Sequence, residues 1–356
     1  MKKYNFSPGP AILPRSVMEE AAQGILDFNG SGLSILEISH RSAAFTAVIE
    51  EAVSLVKELL GIGADYDVLF LTGGASMQFA MVPMNFLNEG ETAAYIDTGA
   101  WSDKAIKEAK LFGNVAIPAS SKEQNYTSIP KNYDIPKDGV YMHLTSNNTI
   151  FGTQYHSWPD TDVPIVADMS SDIFSRPVPM EKFGLIYAGA QKNSGPAGVT
   201  LVIIRKDMYA KVKRTLPSML KYETFAKEHS LYNTPPVFSI YASMLTLRWV
   251  KANDGLAGMV KRNEEKADLL YNEIDSNPLF EGTTAKEDRS LMNVTFLAKT
   301  PDVEALFLDN CKKAGIVEIK GHRSVGGFRA SIYNAMEKES VQVLVDVMQD
   351  VAKNFD

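Results

Sequence analysis

The sequence predicts an α/β protein whose large domain has a mostly parallel, seven-stranded sheet flanked by helices, followed by a smaller C-terminal α/β domain. Between about residues 65 and 205, short β-rich apolar runs alternate with helical or turn segments, which is typical of βα units. The 356 residues correspond to roughly two domains of about 150 residues each. After residue 235 the sequence becomes helical in character, which favours a separate C-terminal unit.

Seven short apolar runs are the candidate strands of the large sheet. They cover residues 67–72, 92–97, 115–118, 140–145, 164–168, 185–188 and 199–205. A short segment rich in glycine and proline joins the last two runs, so we expect this pair to be antiparallel within an otherwise parallel sheet. Several runs end in polar or small residues, and ligands of open α/β sheets bind at such carboxyl ends.

The predicted division of the chain places the large domain at residues 16–260 and the small domain at residues 261–356. Residues 1–15 form an N-terminal segment that is expected to pack near the small domain. A chain of this length buries roughly 75% of the surface of its unfolded state, so disulfides or metal ions are not needed for stability. We therefore predict no metal site.

Two helical stretches are predicted after residue 235. Pro235 and Pro236 open an apolar stretch that continues to Trp249, and a charged amphipathic stretch follows at residues 259–274. The pattern at the start of the first stretch predicts Thr234 as the N-cap and Pro235 as the first helical residue. A helix N-terminus at this place would suit a phosphate group.

Composition and charge exclude several classes of protein. The 43 acidic and 36 basic residues leave a net charge of −7, which argues against general nucleic-acid binding. A single cysteine, Cys311, excludes an intrachain disulfide and any multi-cysteine metal site. The longest strongly apolar run, residues 199–204, is far too short to span a membrane. A cytoplasmic location is the expectation that follows.

Lys192 is the most informative candidate for chemistry. It stands among small residues at the end of a predicted buried strand, in the segment Tyr187-Ala-Gly-Ala-Gln-Lys192. Small neighbours leave room for a bulky ligand. Burial disfavours the ammonium form and lowers the pKa, and a neutral amine can form a Schiff base with an aldehyde. The alternative is a solvated lysine in a loop.

Asp168 follows the apolar run at residues 164–167, at the end of another predicted strand. A buried carboxylate needs a partner. The protonated pyridine nitrogen of pyridoxal phosphate is one such partner, and the pairing keeps that ring an effective electron sink. A helix N-cap is the alternative role for Asp168, because Ser170 and Ser171 follow it.

Residues 72–76, Thr-Gly-Gly-Ala-Ser, are a candidate phosphate site. They follow a predicted strand and precede an apolar helical stretch at residues 77–87, so their backbone amides would lie at a helix N-terminus. The segment fits neither the dinucleotide-binding pattern nor the P-loop pattern, which argues against a nucleotide cofactor. A glycine turn from strand to helix without a ligand is the alternative.

Trp101 lies just past the predicted strand at residues 92–97 and is one of only three tryptophans. Its indole ring at a strand end is placed to stack on the ring of a cofactor. Ordinary core packing is the alternative role for this side chain.

Two His-Arg pairs and one further arginine form a candidate anion site. These residues are His40, Arg41, His322, Arg323 and Arg329. No acidic residue lies between Ile319 and Met336. Guanidinium groups bind phosphates and carboxylates through two parallel hydrogen bonds, so the pattern indicates an anionic substrate. A solvated basic loop is the alternative.

Together these motifs resemble those of the class V, fold-type I pyridoxal-phosphate-dependent aminotransferases, and in particular the members that act on phosphoserine. The matching blocks are residues 6–10, 37–41, 187–193, 232–236, 320–323 and 327–336. They span nearly the whole chain and are jointly far more specific than any single block. The resemblance implies the fold of a fold-type I transferase and pyridoxal 5'-phosphate as the cofactor.

The resemblance also implies roles for the candidate residues. Lys192 would carry the cofactor, Asp168 would meet the pyridine nitrogen, and Trp101 would stack on the ring. The remaining cofactor contacts implied are Thr149 beside the ring hydroxyl, Ala75, Ser76 and Gln191 at the phosphate, and Asn233 and Thr234 reaching that phosphate from the other subunit. The substrate-binding residues implied are His40, Arg41, His322, Arg323 and Arg329. Some relatives carry Gly-Arg in place of Ala75-Ser76, so here the phosphate site has less positive charge.

The implied activity is amino transfer from L-glutamate to 3-phosphohydroxypyruvate, giving L-phosphoserine and 2-oxoglutarate, a step of serine biosynthesis, in a homodimer with shared active sites. A phosphorylated hydroxythreonine of vitamin B6 synthesis is a possible second substrate. Another class V enzyme, such as a serine–glyoxylate aminotransferase or a cysteine desulfurase, is the nearest alternative. Cys311, in an amphipathic stretch, argues against the desulfurase, which needs an accessible thiolate. A non-catalytic binder of phosphorylated metabolites is the alternative from a different class.

Overall fold

The computed structural model describes residues 2–355 as a central seven-stranded sheet covered by helices, with a smaller C-terminal sheet and its own helices. The strands are β1 (Tyr4–Asn5), β2 (Tyr66–Leu71), β3 (Thr92–Asp97), β4 (Asn114–Ser120), β5 (Met142–Thr145), β6 (Asn147–Asn148), β7 (Thr153–Gln154), β8 (Ile165–Asp168), β9 (Phe183–Gly189), β10 (Thr200–Arg205), β11 (Phe280–Gly282), β12 (Asn293–Ala298), β13 (Ile316–Val317) and β14 (Phe328–Ser331). The helices are α1 (Arg15–Leu26), α2 (Ala43–Leu60), α3 (Gly74–Phe86), α4 (Ala100–Ala109), α5 (Tyr222–Lys227), α6 (Val237–Ala252), α7 (Gly255–Ser276), α8 (Pro301–Ala314) and α9 (Lys338–Asn354).

The central sheet has the strand order β2-β10-β9-β8-β5-β3-β4. Neighbouring strands from β9 to β4 are parallel, whereas β10 is antiparallel to both β9 and β2. The predictions of a mostly parallel, seven-stranded sheet and of an antiparallel β9–β10 pair are therefore confirmed, and β2 adds a second antiparallel pair with β10. The segment between β9 and β10 is too short to hold a crossover helix, so the chain turns back on itself there.

Helices cover both faces of the central sheet. Alternate residues of β2 belong to two separate cores: Val68 and Phe70 pack with α1, α2 and α6, whereas Leu69 and Leu71 pack with α3 and α4. The strands consequently consist of nearly continuous apolar residues, as expected for a sheet buried on both sides. No described helix is long and apolar enough to cross a membrane.

The C-terminal part of the chain has a separate apolar core. The antiparallel strands β11, β12 and β14 pack against α7, α8 and α9 around Phe280, Phe296, Phe307 and Phe328. Strand β1 pairs in parallel with β13, which ties the start of the chain to this unit. Helix α7 crosses residue 260, and the domain boundary at that residue stays a prediction.

The predicted start of helix α6 is wrong. The helix begins at Val237 with Pro236 as its N-cap, and the side chain of Thr234 accepts no capping hydrogen bond. A residue that precedes proline is sterically disfavoured from the helical conformation, and Pro235 precedes Pro236. The helix therefore starts two residues later than the sequence pattern predicted.

Candidate active site

The carboxyl ends of β5, β8 and β9 lie side by side and form the base of a cavity of about 270 Å³. Parallel pairing aligns Thr145 with Asp168 and Asp168 with Tyr187. The cavity brings together nine of the predicted site residues, which are Ala75, Ser76, Trp101, Thr149, Asp168, Gln191, Lys192, His322 and Arg329. Because these residues come from distant parts of the sequence, the fold assembles most of the predicted site within one chain.

Lys192 lies in the segment between β9 and β10, where its backbone N–H donates to the carbonyl of Ala190 at 2.6 Å. Within residues 2–355, its ammonium group has no salt-bridge partner within 4.0 Å. Burial lowers the pKa of Lys192, and the negative charges of Asp168 and Asp172 partly oppose this shift. Lys192 is half-buried and lines the cavity, which favours the functional interpretation over a solvated loop lysine, and the amine loses its proton more easily than an ordinary lysine.

Asp168 ends β8 with 6% of its surface exposed, and its Oδ1 accepts a hydrogen bond from the backbone N–H of Ser170 at 2.9 Å. Burial raises the pKa of Asp168, while the charge of Lys192 lowers it. No helix begins at this point, so the N-cap interpretation is wrong and the bond belongs to a turn. A buried carboxylate with a single short hydrogen bond has room for a cationic N–H donor.

Helix α3 presents its N-terminus to the cavity. Gly73 is the N-cap with φ 92°, and the first helical hydrogen bond runs from the N–H of Met77 to the carbonyl of Gly73. A side chain at Gly73 would meet Cβ of Met77 at 2.5 Å, so only glycine fits there. The N–H groups of Ala75 and Ser76 come before this first hydrogen bond and have no acceptor within the helix. They can therefore bind an anion.

Trp101 lines the cavity near the start of α4, and its Nε1 donates a hydrogen bond to Oγ1 of Thr149 at 3.1 Å. The Nζ atom of Lys104 lies 4.4 Å from the centroid of the indole ring. The ring is thus fixed by a hydrogen bond at its edge and a cation over one face. Trp101 is partly exposed at the cavity wall, as a platform for a stacked ring would have to be.

Arg329 is a second cation that lines the cavity, and in β14 it has 8% of its surface exposed. It donates a hydrogen bond from Nη1 to the carbonyl of Thr149 at 3.1 Å, whereas its buried Nε has no partner within residues 2–355. Burial lowers the pKa of this guanidinium. A buried guanidinium with unused donors and no carboxylate is arranged to receive an anionic ligand.

The other predicted anion-binding residues lie outside the cavity floor. His322 lines the cavity mouth in an exposed turn, and its Nδ1 lies 2.7 Å from Oγ of Ser324. Arg323 follows it and is exposed, but it is not among the residues lining the cavity. His40 and Arg41 lie in a turn before α2, also outside the cavity. One chain therefore brings only part of the predicted cluster together.

Asn233 and Thr234 are also outside the cavity of the chain that carries them. They lie in the loop before α6, where the Asn233 side chain donates to the carbonyl of Thr234 at 3.0 Å. No hydrogen bond within residues 2–355 joins them to the residues that line the cavity. Their predicted role in another subunit's site stays a prediction.

The N-terminal segment also contributes to the cavity wall, although none of its residues is among the site residues predicted from the sequence. Pro8 and Gly9 line the cavity, and a side chain at Gly9 would meet Cγ of Lys192 at 3.4 Å. The hydroxyl of Tyr333 holds this segment by donating to the carbonyl of Pro8 at 2.8 Å. The Pro8-Gly9-Pro10 motif was the available signal, because glycine between two prolines marks a close backbone approach.

Cys311 is buried in α8, and burial raises the pKa of its thiol to about 12. The residue therefore supplies no thiolate at neutral pH, and it lies in the core of the C-terminal unit. This position contradicts the cysteine desulfurase alternative, whose persulfide carrier must be accessible.

A half-buried lysine and a buried carboxylate at adjacent strand ends, next to a helix N-terminus, define an aminotransferase type of site on this fold. The sequence matches the family model described as "Aminotransferase class-V" over residues 3–344, and the chain belongs to this family. A curated relative from Flavobacterium psychrophilum, named phosphoserine aminotransferase, is 59% identical over 352 residues, which cover 99% of both chains.

Solved structures of similar proteins agree with this assignment. The phosphoserine aminotransferase of Bacillus circulans subsp. alkalophilus is 48% identical and has a TM-score of 0.97, with 100% of this chain and 99% of that chain covered. A pyridoxal-phosphate-bound phosphoserine aminotransferase from Trichomonas vaginalis is 39% identical with a TM-score of 0.93, covering 98% and 100% of the two chains. The fold predicted from the sequence is confirmed.

Proposed function

We propose that the chain uses pyridoxal phosphate to transfer the amino group of L-glutamate to 3-phosphohydroxypyruvate, which gives L-phosphoserine and 2-oxoglutarate. One observation carries this proposal: Lys192, Asp168 and Arg329, each incompletely paired, line one cavity. The similarity to phosphoserine aminotransferases over the whole chain supports the choice of substrates. A place in serine biosynthesis follows from the product.

The residues present fit the cofactor. Asp168 would hold the pyridine nitrogen, because its buried carboxylate lacks a cationic partner at hydrogen-bond distance. The N–H groups of Ala75 and Ser76 at the start of α3, together with Gln191, would hold the phosphate. Trp101 would cover one face of the ring and Thr149 would lie near its hydroxyl. When bound, pyridoxal phosphate supplies an aldehyde that takes up amino groups and a ring that withdraws electrons.

Within this arrangement, Lys192 is the proton carrier. The lowered pKa of Lys192 makes its neutral amine available. This amine can take a proton from the α-carbon of the amino donor and give it up again later in the reaction. When ionised, Asp168 places a negative charge at the base of the cavity, which stabilises positive charge on the group that it contacts. The enclosing segment at Pro8 and Gly9 excludes water from one side of Lys192.

Arg329 would bind a carboxylate that both amino donor and amino acceptor carry. Its buried position beside Thr149 places it close to the reacting groups, whereas His322 lies at the mouth, where a phosphate would enter, and the exposed Arg323 follows it in sequence. The carboxylate and the phosphate of phosphoserine would then bind at opposite ends of the same cavity. Bidentate binding at Arg329 also fixes the orientation of the α-carbon relative to Lys192.

The proposed function is tested by comparing amino acceptors with L-glutamate as the donor. We expect the highest kcat/KM with 3-phosphohydroxypyruvate and far lower values with hydroxypyruvate and glyoxylate. A phosphorylated hydroxythreonine, assayed in the reverse direction, tests the second substrate. A preference for glyoxylate would favour the serine–glyoxylate type of activity and contradict the proposal.

Replacing Arg329 with lysine should lower kcat/KM with both glutamate and 3-phosphohydroxypyruvate by roughly ten- to a hundredfold. Lysine keeps the charge but loses the planar pair of donors, and such a charge-assisted pair contributes about 1.5–3 kcal/mol. Steady-state kinetics of the two substrates measure the effect. The control is Arg15→Lys, which changes an exposed arginine paired with Glu19 and should leave kcat/KM for both substrates unchanged. A loss below about twofold at Arg329 would show that it binds neither substrate.

We also propose that the active chain is a homodimer with shared active sites. Some predicted site residues that do not line the cavity, such as His40 and Asn233, follow exposed apolar side chains in the sequence. Leu33 and Leu36, which precede His40, are 51% and 61% exposed, and Tyr232, which precedes Asn233, is 40% exposed. Large apolar side chains at these positions are typical of a surface that a second copy covers.

A mixing experiment tests the shared site. Lys192→Ala and Arg41→Ala variants should each be nearly inactive, but after subunit exchange the hybrid dimers would contain one intact site. A mixture in equal amounts should therefore regain about a quarter of the wild-type activity. Mixing Lys192→Ala with Asp168→Asn is the control, because both residues line the same chain's cavity and no intact site forms. If the first mixture stays as inactive as its parents, Arg41 does not act across subunits.

A further inference from the structure

Lys104 is a cation beside the cavity, in contact with the lining residue Trp101, and neither the proposed mechanism nor the predicted substrate cluster uses it. It lies on α4, three residues after Trp101, and its Nζ is 4.4 Å from the centroid of the Trp101 ring. Residues three apart on a helix share one face, so Lys104 lies beside the cavity wall that Trp101 forms. The side chain is otherwise exposed.

The charge of Lys104 is not neutralised locally. Within residues 2–355, Lys104 has no salt bridge within 4.0 Å, whereas Lys107 on the same helix pairs with Asp103 at 2.6 Å. The indole face of Trp101 attracts the ammonium and holds it near the cavity without cancelling its charge. An unpaired cation held in this way leaves positive potential at the opening of the cavity.

The charge of Lys104 also acts on His322, which lines the cavity. Burial lowers the pKa of His322, and the charges of Arg329, Arg323 and Lys104 lower it further. Lys104 therefore lies close enough to affect a residue that lines the cavity, although α4 and this turn are more than 200 residues apart in sequence. The turn contributes no acidic residue, since none lies between Ile319 and Met336.

We propose that Lys104 is a specificity-determining residue whose ammonium attracts the phosphate dianion of the substrate at the cavity mouth. This inference rests on the proposed function and adds a residue from α4 to the phosphate subsite. A dianion gains about twice the Coulomb energy of a monoanion from one cation at the same distance. Lys104 therefore favours a phosphorylated acceptor over an unphosphorylated one, and over the side-chain carboxylate of glutamate.

The experiment compares kcat/KM for 3-phosphohydroxypyruvate and hydroxypyruvate in the wild-type holoenzyme and three variants. Lys104→Met keeps the length of the side chain and removes its charge, and Lys104→Arg restores the charge. Lys107→Met removes a cation from the same helix that already has an acidic partner. Thermal unfolding of each variant confirms that it is folded.

For Lys104→Met we expect kcat/KM with 3-phosphohydroxypyruvate to fall about five- to tenfold, mainly through KM, because the lost attraction acts on substrate binding. The value for hydroxypyruvate should change less than about twofold, and Lys104→Arg should restore the phosphorylated substrate. The difference should shrink at high ionic strength, since Lys104 is exposed. Lys107→Met should behave like the wild type.

Equal losses with both acceptors in Lys104→Met would overturn the inference, because they would mean that Lys104 only holds Trp101 in place. Unchanged kinetics in Lys104→Met, or the same loss in Lys107→Met, would overturn it as well. These outcomes leave the proposed function intact as long as the wild type prefers the phosphorylated acceptor. If the wild type shows no such preference, the proposed function fails first and the inference fails with it.

Discussion

Replacing Lys192 with alanine is expected to abolish amino transfer altogether. Lys192 is the one lysine that lines the cavity within residues 2–355, and its lowered pKa suits it to bond an aldehyde and to carry a proton. Alanine can do neither, and it leaves the rest of the fold in place. Initial rates with L-glutamate and 3-phosphohydroxypyruvate measure the effect. Lys206→Ala, which removes an exposed lysine after β10, is the control and should keep full activity.

The covalent part of this prediction has its own measurement. Borohydride reduction of the wild-type holoenzyme, followed by proteolysis and mass spectrometry, should find the pyridoxyl adduct on the peptide that contains Lys192. The yellow colour of the protein should disappear in the same step. An adduct on a different lysine, or a Lys192→Ala variant with near-normal turnover, would show that the cavity lysine is not the cofactor's attachment point.

Replacing Asp168 with asparagine should lower kcat by about a hundredfold or more while the cofactor remains bound. Asparagine keeps the shape and can still accept the hydrogen bond from Ser170, but it removes the negative charge beneath the site. That charge matters to the proton transfer more than to binding, so KM should change little. Stopped-flow spectra of the first half-reaction with L-glutamate separate the chemical step from binding.

Asp97→Asn is the matched control for this substitution. Asp97 is also a buried aspartate at the end of a central strand, but it bonds Ser102, Ser120 and Tyr126 and does not line the cavity. Its replacement tests the general cost of removing a buried carboxylate from a strand end. If both variants lose the same amount of activity, the loss reflects weakened structure, and the electronic role of Asp168 is wrong.

Much of the fold follows from short-range patterns in the sequence. Buried parallel strands are continuous apolar runs of limited length, so all seven central strands are visible as such runs, with ends that match or shift by one or two residues. The antiparallel pairing of β9 and β10 follows from the short connection between them. The convergence of Asp168 and Lys192 follows as well, because carboxyl ends of neighbouring strands meet at one edge of a sheet.

Other features depend on contacts that no local pattern encodes. The path of Pro8 and Gly9 along Lys192 depends on the pairing of β1 with β13, two segments separated by some 310 residues. The effect of the Lys104 charge on the pKa of His322 likewise depends on how the C-terminal unit packs on the central sheet. Thr234 is not the N-cap of α6, because Pro236 disfavours the helical conformation at Pro235. This steric effect outweighs the preference of threonine for the N-cap position.

The transfer of isotopically labelled nitrogen is the decisive test of amino transfer from L-glutamate to 3-phosphohydroxypyruvate. The holoenzyme is incubated with L-glutamate that carries the heavy nitrogen isotope in its amino group and with 3-phosphohydroxypyruvate, and the products are analysed by mass spectrometry. We expect the label to appear in L-phosphoserine in an amount equal to the 2-oxoglutarate formed. The Lys192→Ala variant should form neither product. Labelled nitrogen that stays in glutamate, or phosphoserine that forms without label, would contradict this expectation.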